Sequence, residues 1–349
     1  MPNSVNFGIN GFGRIGRTAL RVWWQYYQDK ASLKMINTSG SMELEAWAHL
    51  LRFDSNYGVF NQSIEVETQQ SKDAVTDENP VLGTINLSGH KILVTAQRDP
   101  KKIPWGKQQI DTVIESTGAF TKVEKASWHL EAGAKKVIVS APTKGVGAEM
   151  VVIGVNRPEK NLPIRSNASC TTNCVAPVVQ VIHQKFGVLK AMMTTIHSYT
   201  DDQNVQDNSH KDDLRRARSA AENIIPTSTG AAIATTIVIP ELKGLFDGLA
   251  IRVPTPVGSL ADITFLLKRN VTIEEINQAL IEASLEPHWQ GILAVTKYPI
   301  VSSDVIGRRE SNIVDLNLTN VVDGNLVKVI SWYDNEWGYC NRLIEQIFN

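Results

Sequence analysis

The sequence is poor in cysteine, with three among its 349 residues: Cys170, Cys174 and Cys340. An odd number this small makes a poor disulfide framework, and it falls short of the four Cys or His ligands that a structural zinc ion usually takes. We therefore expect no metal ion. A thiol kept for its reactivity becomes the favoured interpretation of Cys170 or Cys174.

Long apolar runs and an excess of either charge are missing as well. No stretch of 18 consecutive apolar residues occurs, and the opening MPNSVNFGINGFGR lacks the basic segment and apolar core of a secretory signal. Lys and Arg number 35 against 36 Asp and Glu, a formal net charge of −1. We therefore expect a cytoplasmic protein that binds neither membranes nor nucleic acid.

The length favours two domains. Up to about residue 150, strand-like and helix-like segments alternate, which predicts an α/β fold with a Rossmann-type, doubly wound sheet. After Cys170, long strand-like segments predict an α+β catalytic domain on a large mixed or antiparallel sheet. The predicted domains are residues 1–169 and 170–333, with a C-terminal helix at 334–349 packing back on the first. A polar stretch at 69–82 is expected to be an exposed loop or hairpin tip.

A G-x-G-x-x-G motif at Gly11, Gly13 and Gly16 follows the first predicted strand and opens a helix. In this context it predicts dinucleotide binding, because glycine lets the backbone approach a pyrophosphate at the positive end of the helix. A tight packing turn is the alternative.

The second predicted strand ends in INTSG, where NAD-binding proteins usually carry an acidic residue. Asn37, Thr38 and Ser39 are uncharged, so a 2′-phosphate would meet no carboxylate repulsion. This favours NADP, or the use of both NADP and NAD. The alternative is that the Thr38 hydroxyl replaces the carboxylate and NAD still binds.

Apolar residues at helical spacing predict a helix that starts near Cys170 and ends at Gly187. Unpaired amides at a helix start favour a thiolate, so position makes Cys170 the candidate nucleophile. Cys174, one turn further in, is expected to pack as a small apolar side chain. A thiolate needs a base, and His197, at the end of a strand, is the candidate, with a structural histidine as the alternative.

Six segments, in order, resemble the family of phosphorylating glyceraldehyde-3-phosphate dehydrogenases: NFGINGFGRIGR, SNASCTTNC, TTIHSYT, LRRARSAAENIIPTSTGAA, RVPTP and SWYDNEWGY. The likeness runs almost from Met1 to Asn349. It implies that the Cys170 thiolate attacks an aldehyde and that the resulting thiohemiacetal delivers hydride to NAD(P). Inorganic phosphate then attacks the thioester, with His197 as the base.

The resemblance also implies two anion pockets, and guanidinium and hydroxyl groups suit them because both donate hydrogen bonds to phosphate oxygens. Thr200 and Arg252 match the pocket for the phosphate of glyceraldehyde 3-phosphate. The positions that match the inorganic-phosphate pocket are Ser169, Thr171, Arg216, Thr229 and Gly230. The run HKDDLRR carries one more acidic residue than the family pattern, so the register between Ser209 and Leu214 is open by one.

Cofactor contacts implied by the resemblance lie along the first domain and at one position near the end of the chain. They are Arg14 and Ile15 at the pyrophosphate turn, Arg98 and Thr117 beside the adenosine, and Ser140 and Asn335 beside the nicotinamide carboxamide. Thr38 stands where NAD-specific members carry Asp, and Ser209 matches a serine of chloroplast members that use NADP. Both departures concern cofactor preference.

Two other functions stay open at this point. Erythrose-4-phosphate dehydrogenase shares the nucleophile, but Thr200, Thr229 and Gly230 stand as in the glyceraldehyde-phosphate enzymes. A redox-switch or nucleotide-binding protein on the same fold would not need both anion clusters, so their presence favours catalysis. The resemblance also implies a homotetramer, with the loop at 198–222 near a subunit interface.

Overall fold

A computed structural model describes residues 4–349, which divide into two compact units. The first unit contains the described residues up to 150 together with 158–167 and 340–349, and the second contains 151–157 and 168–339. None of the helices in the described part of the chain combines the length and the apolar character that crossing a bilayer requires.

A nine-stranded sheet forms the centre of the first unit. Its strands are β1 (Val5–Asn10), β2 (Ala31–Asn37), β5 (Ile64–Thr68), β6 (Val81–Leu87), β7 (His90–Thr95), β8 (Thr112–Glu115), β9 (Lys136–Val139), β10 (Glu149–Met150) and β11 (Ile164–Ser166). A separate ribbon consists of β3 (Phe53–Asp54) and β4 (Gly58–Val59). The helices of this unit are α1 (Arg14–Tyr26), α2 (Leu44–Arg52), α3 (Val123–Ala126) and α4 (Trp128–Glu131).

The order of the strands in this sheet brings the predicted cofactor residues to one edge. The order is β10-β11-β9-β8-β1-β2-β7-β6-β5, and β8, β1, β2 and β7 pair in parallel. At one side, β6 and β5 add antiparallel pairs. Because parallel strands end at the same edge, Asn10, Asn37, Thr95 and Glu115 lie side by side in neighbouring strands.

Residues 69–80 of the polar stretch at 69–82 link β5 to β6, as predicted for a hairpin tip, and most of them are exposed, whereas Val81 and Leu82 begin β6. Met35 in β2, Val113 in β8 and Trp105 belong to one buried apolar cluster of the first unit.

An eight-stranded mixed sheet forms the second unit, which confirms the predicted fold class. Its strands are β12 (Val188–Ser198), β13 (Ile225–Ser228), β14 (Phe246–Val253), β15 (Ser259–Leu267), β16 (Leu293–Thr296), β17 (Asn312–Asp315), β18 (Asn320–Val322) and β19 (Leu326–Tyr333). The main order is β13-β14-β12-β15-β19-β17-β16, and β18 pairs with β19. The helices are α5 (Cys170–Phe186), α6 (Ala231–Val238), α7 (Ile273–Leu285) and α8 (Trp337–Glu345), of which α8 continues into residues of the first unit.

Helix α5 follows its predicted pattern. Val175, Val178, Val179, Ile182 and Phe186 are buried along it, and it ends at Gly187, whose φ of +71° is a left-handed conformation that favours glycine. The chain then enters β12, whose far end carries His197. A helix and a strand joined by one glycine thus position both predicted catalytic residues.

Candidate active site

Cys170 and His197 are in direct contact. Cys170 is the first residue of α5, and the Ser169 side chain caps the helix by accepting a hydrogen bond from Thr172 N at 3.0 Å. His197 is the penultimate residue of β12, and its Nε2 lies 3.3 Å from Cys170 Sγ. The predicted thiol and the predicted base therefore lie within hydrogen-bonding distance.

The contacts of the imidazole define its tautomer. Nδ1 of His197 lies 2.6 Å from the carbonyl oxygen of Ser198, which can only accept, so Nδ1 carries a hydrogen. Arg252 Nη1 lies 3.2 Å from the same Nδ1, but since both are donors it bonds instead to the Ser198 oxygen at 3.1 Å. In the neutral ring, Nε2 is left with a lone pair that faces the sulfur.

Burial disfavours an isolated charge on either group. Burial, together with the charge of the nearby Arg252 guanidinium, lowers the pKa of His197 to about 3. Burial also raises the pKa of Cys170, against the opposing effect of Arg252 and of a hydrogen bond involving Thr171. Each of these pKa shifts describes a single charged group beside a neutral partner. Burial therefore penalises least the two states in which the pair has no net charge: thiol with neutral imidazole, and thiolate with imidazolium.

Cys174 differs from Cys170 in every respect that controls reactivity. It is fully buried, whereas Cys170 is partly exposed. Burial raises the pKa of Cys174 far above its ordinary value, and its sulfur lies 3.5 Å from Ser331 Oγ. The prediction that Cys174 packs as a small apolar side chain is confirmed.

Arg252 and Thr200 lie together next to this pair. Arg252 pairs with His197 in register, because β14 runs parallel to β12, and its Nη1 donates to Thr200 Oγ1 at 2.8 Å. Within residues 4–349, the buried Arg252 Nε and Gln203 Nε2 have no hydrogen-bond partner. Buried donors of this kind suit an anion such as a phosphate group.

An acidic residue that the sequence analysis did not identify joins the two predicted anion pockets. Asp202 accepts a hydrogen bond from the Thr200 hydroxyl and forms an ion pair with Arg216. Burial raises the pKa of Asp202, but the hydrogen bond from Thr200 and the charges of Arg252 and Arg216 lower it more, so the carboxylate is ionised at neutral pH. The Asp202 carboxylate thus bonds to one residue of each predicted anion pocket, Thr200 and Arg216.

Asp213, the second of the two acidic residues in HKDDLRR, has several hydrogen-bond donors around it. Its carboxylate accepts hydrogen bonds from Thr227 Oγ1 at 2.6 Å and from Arg215 N at 2.8 Å, and the Arg216 amide also donates to it. Arg216 Nε then donates to Thr227 Oγ1 at 3.0 Å. Asp213 therefore shapes the turn that positions Arg216.

The remaining members of the predicted phosphate pocket lie at two helix starts. Gly230 precedes α6, a Cβ built on it would meet no atom within 4 Å, and Thr229 Oγ1 accepts from Ala231 N at 3.2 Å. Thr171 lies in the first turn of α5, with its hydroxyl 2.9 Å from Tyr333 Oη. Tyr333, also not identified from the sequence, contacts Thr195 as well and packs edge-on against the His197 ring.

The glycine turn in the first unit has the shape that a dinucleotide requires. A Cβ on Gly16 would lie 2.1 Å from the Gly11 oxygen, and one on Gly11, whose φ is +95°, would lie 2.8 Å from the Thr117 amide. At Gly13, directly before α1, a Cβ would meet no atom within 4 Å. The first and third glycines thus permit close packing, and the second leaves the helix start open to a pyrophosphate.

Two neighbours of this turn already have partners in the structure. Arg14 Nη1 forms an ion pair with Asp54 at 2.6 Å, and the Ile15 oxygen accepts a hydrogen bond from Cys340 Sγ at 3.6 Å. The backbone amides of Arg14 and Ile15, at the start of α1, are the groups that this prediction leaves for a pyrophosphate, since the Arg14 side chain is paired with Asp54.

At the end of β2 the predicted cofactor residues form hydrogen bonds with each other and with β7. The Asn37 side chain donates to Asn10 Oδ1 and Gln97 O and accepts from Thr95 Oγ1 and Gln97 N. The Thr38 hydroxyl donates to Thr95 O at 3.2 Å. Arg98 is exposed beside this strand end, and its Nε donates to Ser39 O at 3.3 Å.

Glu115, at the end of β8, is the centre of a buried polar network that includes Thr117. This residue was not identified from the sequence. Glu115 is 1 % exposed and accepts from Thr117 N at 2.8 Å, from the Thr117 hydroxyl, and from Asn10 Nδ2 at 2.6 Å. His129 Nε2 also lies 2.9 Å from it. Since Trp105 Nε1 can only donate and lies 3.1 Å from His129 Nδ1, the hydrogen of His129 is on Nε2 and the ring is neutral.

The two residues predicted beside the nicotinamide carboxamide belong to different units. Ser140 follows β9 in the first unit, and its amide donates to Glu115 O at 2.9 Å. Asn335 belongs to the second unit, where its Oδ1 accepts hydrogen bonds from Gly258 N and Ser259 Oγ, each at 3.0 Å. Both bonds engage Oδ1, and neither engages the Asn335 Nδ2 donors.

Comparison with known proteins gives matches along nearly the whole chain. The model of the NAD binding domain of glyceraldehyde 3-phosphate dehydrogenase matches residues 5–123, and that of its C-terminal domain matches residues 169–335. Relatives named glyceraldehyde-3-phosphate dehydrogenase come from Streptomyces coelicolor, 45 % identical over 345 residues, and Geobacillus stearothermophilus, 46 % identical over 345 residues. Each alignment covers 98 % of this chain and 97 % of the relative.

Proposed function

The chain belongs to the glyceraldehyde 3-phosphate dehydrogenase family, and from this we propose that it catalyses the reversible, phosphorylating oxidation of glyceraldehyde 3-phosphate to 1,3-bisphosphoglycerate with NAD(P). The observation that carries the proposal is the 3.3 Å contact between Cys170 Sγ and His197 Nε2, with Arg252 beside it. A thiol with its own base and a buried guanidinium suits an aldehyde that bears a phosphate group.

The first half of the proposed reaction attaches the aldehyde to Cys170. The sulfur attacks the carbonyl carbon, the π electron pair of the carbonyl moves to its oxygen, and the thiol proton passes to His197 Nε2. The imidazolium then protonates the new alkoxide, which gives the hydroxyl group of the thiohemiacetal and returns His197 to its neutral form. Because Nδ1 remains bonded to the Ser198 oxygen, the ring keeps its orientation during the transfer.

The second half releases the acyl group to phosphate. When bound, the dinucleotide supplies an acceptor for the hydride that leaves the thiohemiacetal carbon, and His197 takes the hydroxyl proton as the thioester forms. An oxygen of inorganic phosphate attacks the thioester carbon, the C–S bond breaks, and the acyl phosphate leaves. The sulfur departs as a thiolate next to the protonated His197, which restores the pair.

We assign the anion pockets as the family resemblance implies. Thr200 and Arg252 bind the phosphate of the substrate, and their mutual hydrogen bond and the unpaired Arg252 Nε support this role. The group that binds inorganic phosphate consists of Ser169, Thr171, Arg216, Thr229 and Gly230. Since the Thr171 hydroxyl is paired with Tyr333, we assign its contribution to the backbone amide at the start of α5.

We assign dinucleotide binding to the first unit and the chemistry to the second. The second glycine of the turn at 11–16 and the amides that begin α1 hold the pyrophosphate. Arg98 and Thr117 lie on the adenosine side, and Ser140 and Asn335 hold the carboxamide. Asn37 has all its side-chain hydrogen bonds within the unit, so its proposed role is to fix the end of β2 rather than to contact the ligand.

We further propose that the use of NADP is at least comparable to that of NAD. Thr38 places no carboxylate at the end of β2, its hydroxyl hydrogen is bonded to Thr95 O, and the exposed Arg98 adds a positive charge nearby. A 2′-phosphate would therefore meet attraction and no repulsion. Measurement of kcat/KM with each dinucleotide tests this, and a preference for NAD beyond about 100-fold, or roughly 2.7 kcal/mol, contradicts it.

The function itself is tested by turnover of glyceraldehyde 3-phosphate in the presence of inorganic phosphate. We expect acyl phosphate formation that depends on phosphate and is abolished by Cys170→Ser. Erythrose 4-phosphate serves as the competing substrate, and its faster turnover would assign the chain to the other dehydrogenase. Full activity of Cys170→Ser would exclude covalent catalysis by this thiol.

We propose a homotetramer as the functional assembly. Apolar side chains are exposed on adjacent strands β12 and β14, at Met192 and Leu249, and on α6, at Ile233 and Ile237, which supports burial against other copies of the chain. Sedimentation equilibrium is the direct measurement, and a monomer at micromolar concentration contradicts the proposal. The cytoplasmic location inferred from the sequence stays a prediction.

A further inference from the structure

The polar loop at 69–82 has no role in the reaction described above, yet it is bonded to two segments that flank the end of β2. On one side, Lys72 N donates to Glu43 Oε2 at 2.9 Å, where residues 38–43 lead from β2 into α2. On the other side, Asp77 Oδ1 accepts from Gln97 Nε2 at 3.1 Å. The loop therefore contacts both walls of the region where Thr38 replaces the usual acidic residue.

Gln97 connects the loop to the strand ends. Its side chain is buried, at 4 % exposure, and its Oε1 accepts from Asp99 N at 2.9 Å, which fixes the turn that carries Arg98. Its backbone N and O both bond to the Asn37 side chain, at 2.9 and 2.8 Å. The remaining side-chain donor of Gln97, Nε2, bonds to Asp77. The loop thus adds one contact to a residue whose other bonds are to β2 and to the turn that carries Arg98.

The segment at 38–43 and the turn at 97–99 lie close to each other. Arg98 Nε donates to Ser39 O at 3.3 Å, and a Cβ on Gly40 would lie 3.2 Å from the Ala96 Cβ. A small rotation of the Gln97–Asp99 turn would therefore move the Arg98 guanidinium relative to the 38–41 backbone. Where a phosphate must fit between a guanidinium and backbone amides, such a movement costs affinity.

We propose that the loop at 69–82 is a specificity element for the adenosine ribose of the dinucleotide. Asp77 is its positioning residue: through Gln97 it holds Arg98 where a 2′-phosphate binds. Lys102 neutralises the Asp77 carboxylate by an ion pair, which limits its repulsion of that phosphate. This inference rests on the proposed function, since it requires that the first unit binds NAD(P).

Calorimetric titration of NADP and of NAD, each into the full chain, tests the inference. Asp77→Ala removes the acceptor for Gln97, so we expect the Kd for NADP to rise about fivefold, the range for one lost hydrogen bond, and the Kd for NAD to rise less than about twofold. Asp77→Asn keeps an acceptor oxygen while removing the charge, so it is expected to bind NADP as tightly as the wild type. Turnover at saturating dinucleotide is expected to stay unchanged in both variants.

Asp73→Ala is the matched control, because Asp73 lies in the same loop and pairs with Lys72 rather than with the Gln97 turn. Equal NADP affinity of Asp77→Ala and Asp73→Ala overturns the inference. Equal weakening of NAD and NADP also overturns it, because it indicates general damage to the unit, and a thermal melt would register that damage. If the wild type binds neither dinucleotide, the proposed function fails first and this inference with it.

Discussion

Replacement of His197 by Asn tests whether the thiol and the imidazole act as one titrating pair. His197 Nε2 is the polar group placed to take the Cys170 proton, at 3.3 Å. The raised pKa of Cys170 means that a thiolate without a neighbouring imidazolium forms only as the pH rises through that value. The lowered pKa of His197, about 3, means that a lone imidazolium forms only near that pH. Between these limits the pair neither gains nor loses a proton, and only the position of the proton within it changes.

The distance sets the size of the effect. Opposite unit charges 3.3 Å apart attract by roughly 5 kcal/mol at an effective dielectric constant of about 20. This attraction offsets about three to four pKa units of the gap between the raised pKa of Cys170 and the lowered pKa of His197, so the wild type contains the ion pair as a fraction that does not change with pH. In His197→Asn a thiolate forms only when the thiol loses its proton to solvent, so the thiolate fraction rises about tenfold per pH unit. We therefore expect the two proteins to differ in the pH dependence of Cys170 alkylation.

The assay is the rate of alkylation by iodoacetamide between pH 5.5 and pH 9. It is measured as the alkylated fraction of the tryptic peptide that contains residue 170. We expect the wild-type rate to be nearly flat from pH 5.5 to about pH 6.5 and the His197→Asn rate to rise about tenfold per pH unit over the same range. Cys170→Ser identifies any signal from the other two thiols. A wild-type rate that rises tenfold per unit from pH 5.5, or a variant rate that is flat over this range, would refute the coupled pair.

Three further substitutions test other parts of the site. Arg252→Lys removes the planar donor beside Thr200, so we expect KM for glyceraldehyde 3-phosphate to rise about tenfold or more; an unchanged KM contradicts its role. Thr38→Asp restores a carboxylate at the ribose, and the kcat/KM ratio of NAD to NADP is expected to rise at least about tenfold; a constant ratio shows that the pocket lies elsewhere. Gly16→Ala places a Cβ 2.1 Å from the Gly11 oxygen and is expected to cost more than about 2 kcal/mol of unfolding free energy by denaturant titration. An unfolding free energy equal to that of the wild type would contradict this expectation and show that the turn relaxes around the added Cβ.

The sequence predicts the elements of this chain well where one periodicity dominates. The helix from Cys170 to Gly187 and the strand that ends near His197 follow from apolar spacing, because both bury one side against the core. The contact between their polar ends does not follow from spacing. It depends on how α5 and β12 pack, which a pattern along the chain does not encode.

Acidic residues are where the prediction from sequence is incomplete. Asp202 and Asp213 lie among polar or turn-like residues, where a carboxylate is usually solvated, and Glu115 is the last residue of the buried strand β8. The structure instead gives each of them several donors, from arginine, threonine and backbone groups. The sequence signal near this turn was the surplus acid in HKDDLRR, which raised a question of register that stays open, and one of its two acidic residues, Asp213, shapes the Arg216 turn.

Asp202 shows why motif residues alone do not describe an anion site. Arg216 and Thr200 match different phosphate pockets, yet without a ligand both bond to this one carboxylate. A guanidinium that already has an anionic partner is held in place and avoids the cost of a buried unpaired charge, but it binds a phosphate only by sharing or exchanging that partner. The attraction of a doubly charged phosphate for the cations of the site exceeds that of a single carboxylate at equal distance. We therefore infer that the proposed phosphate pockets favour dianionic ligands over carboxylates and that Asp202 contributes to this selectivity without contacting the reacting carbon.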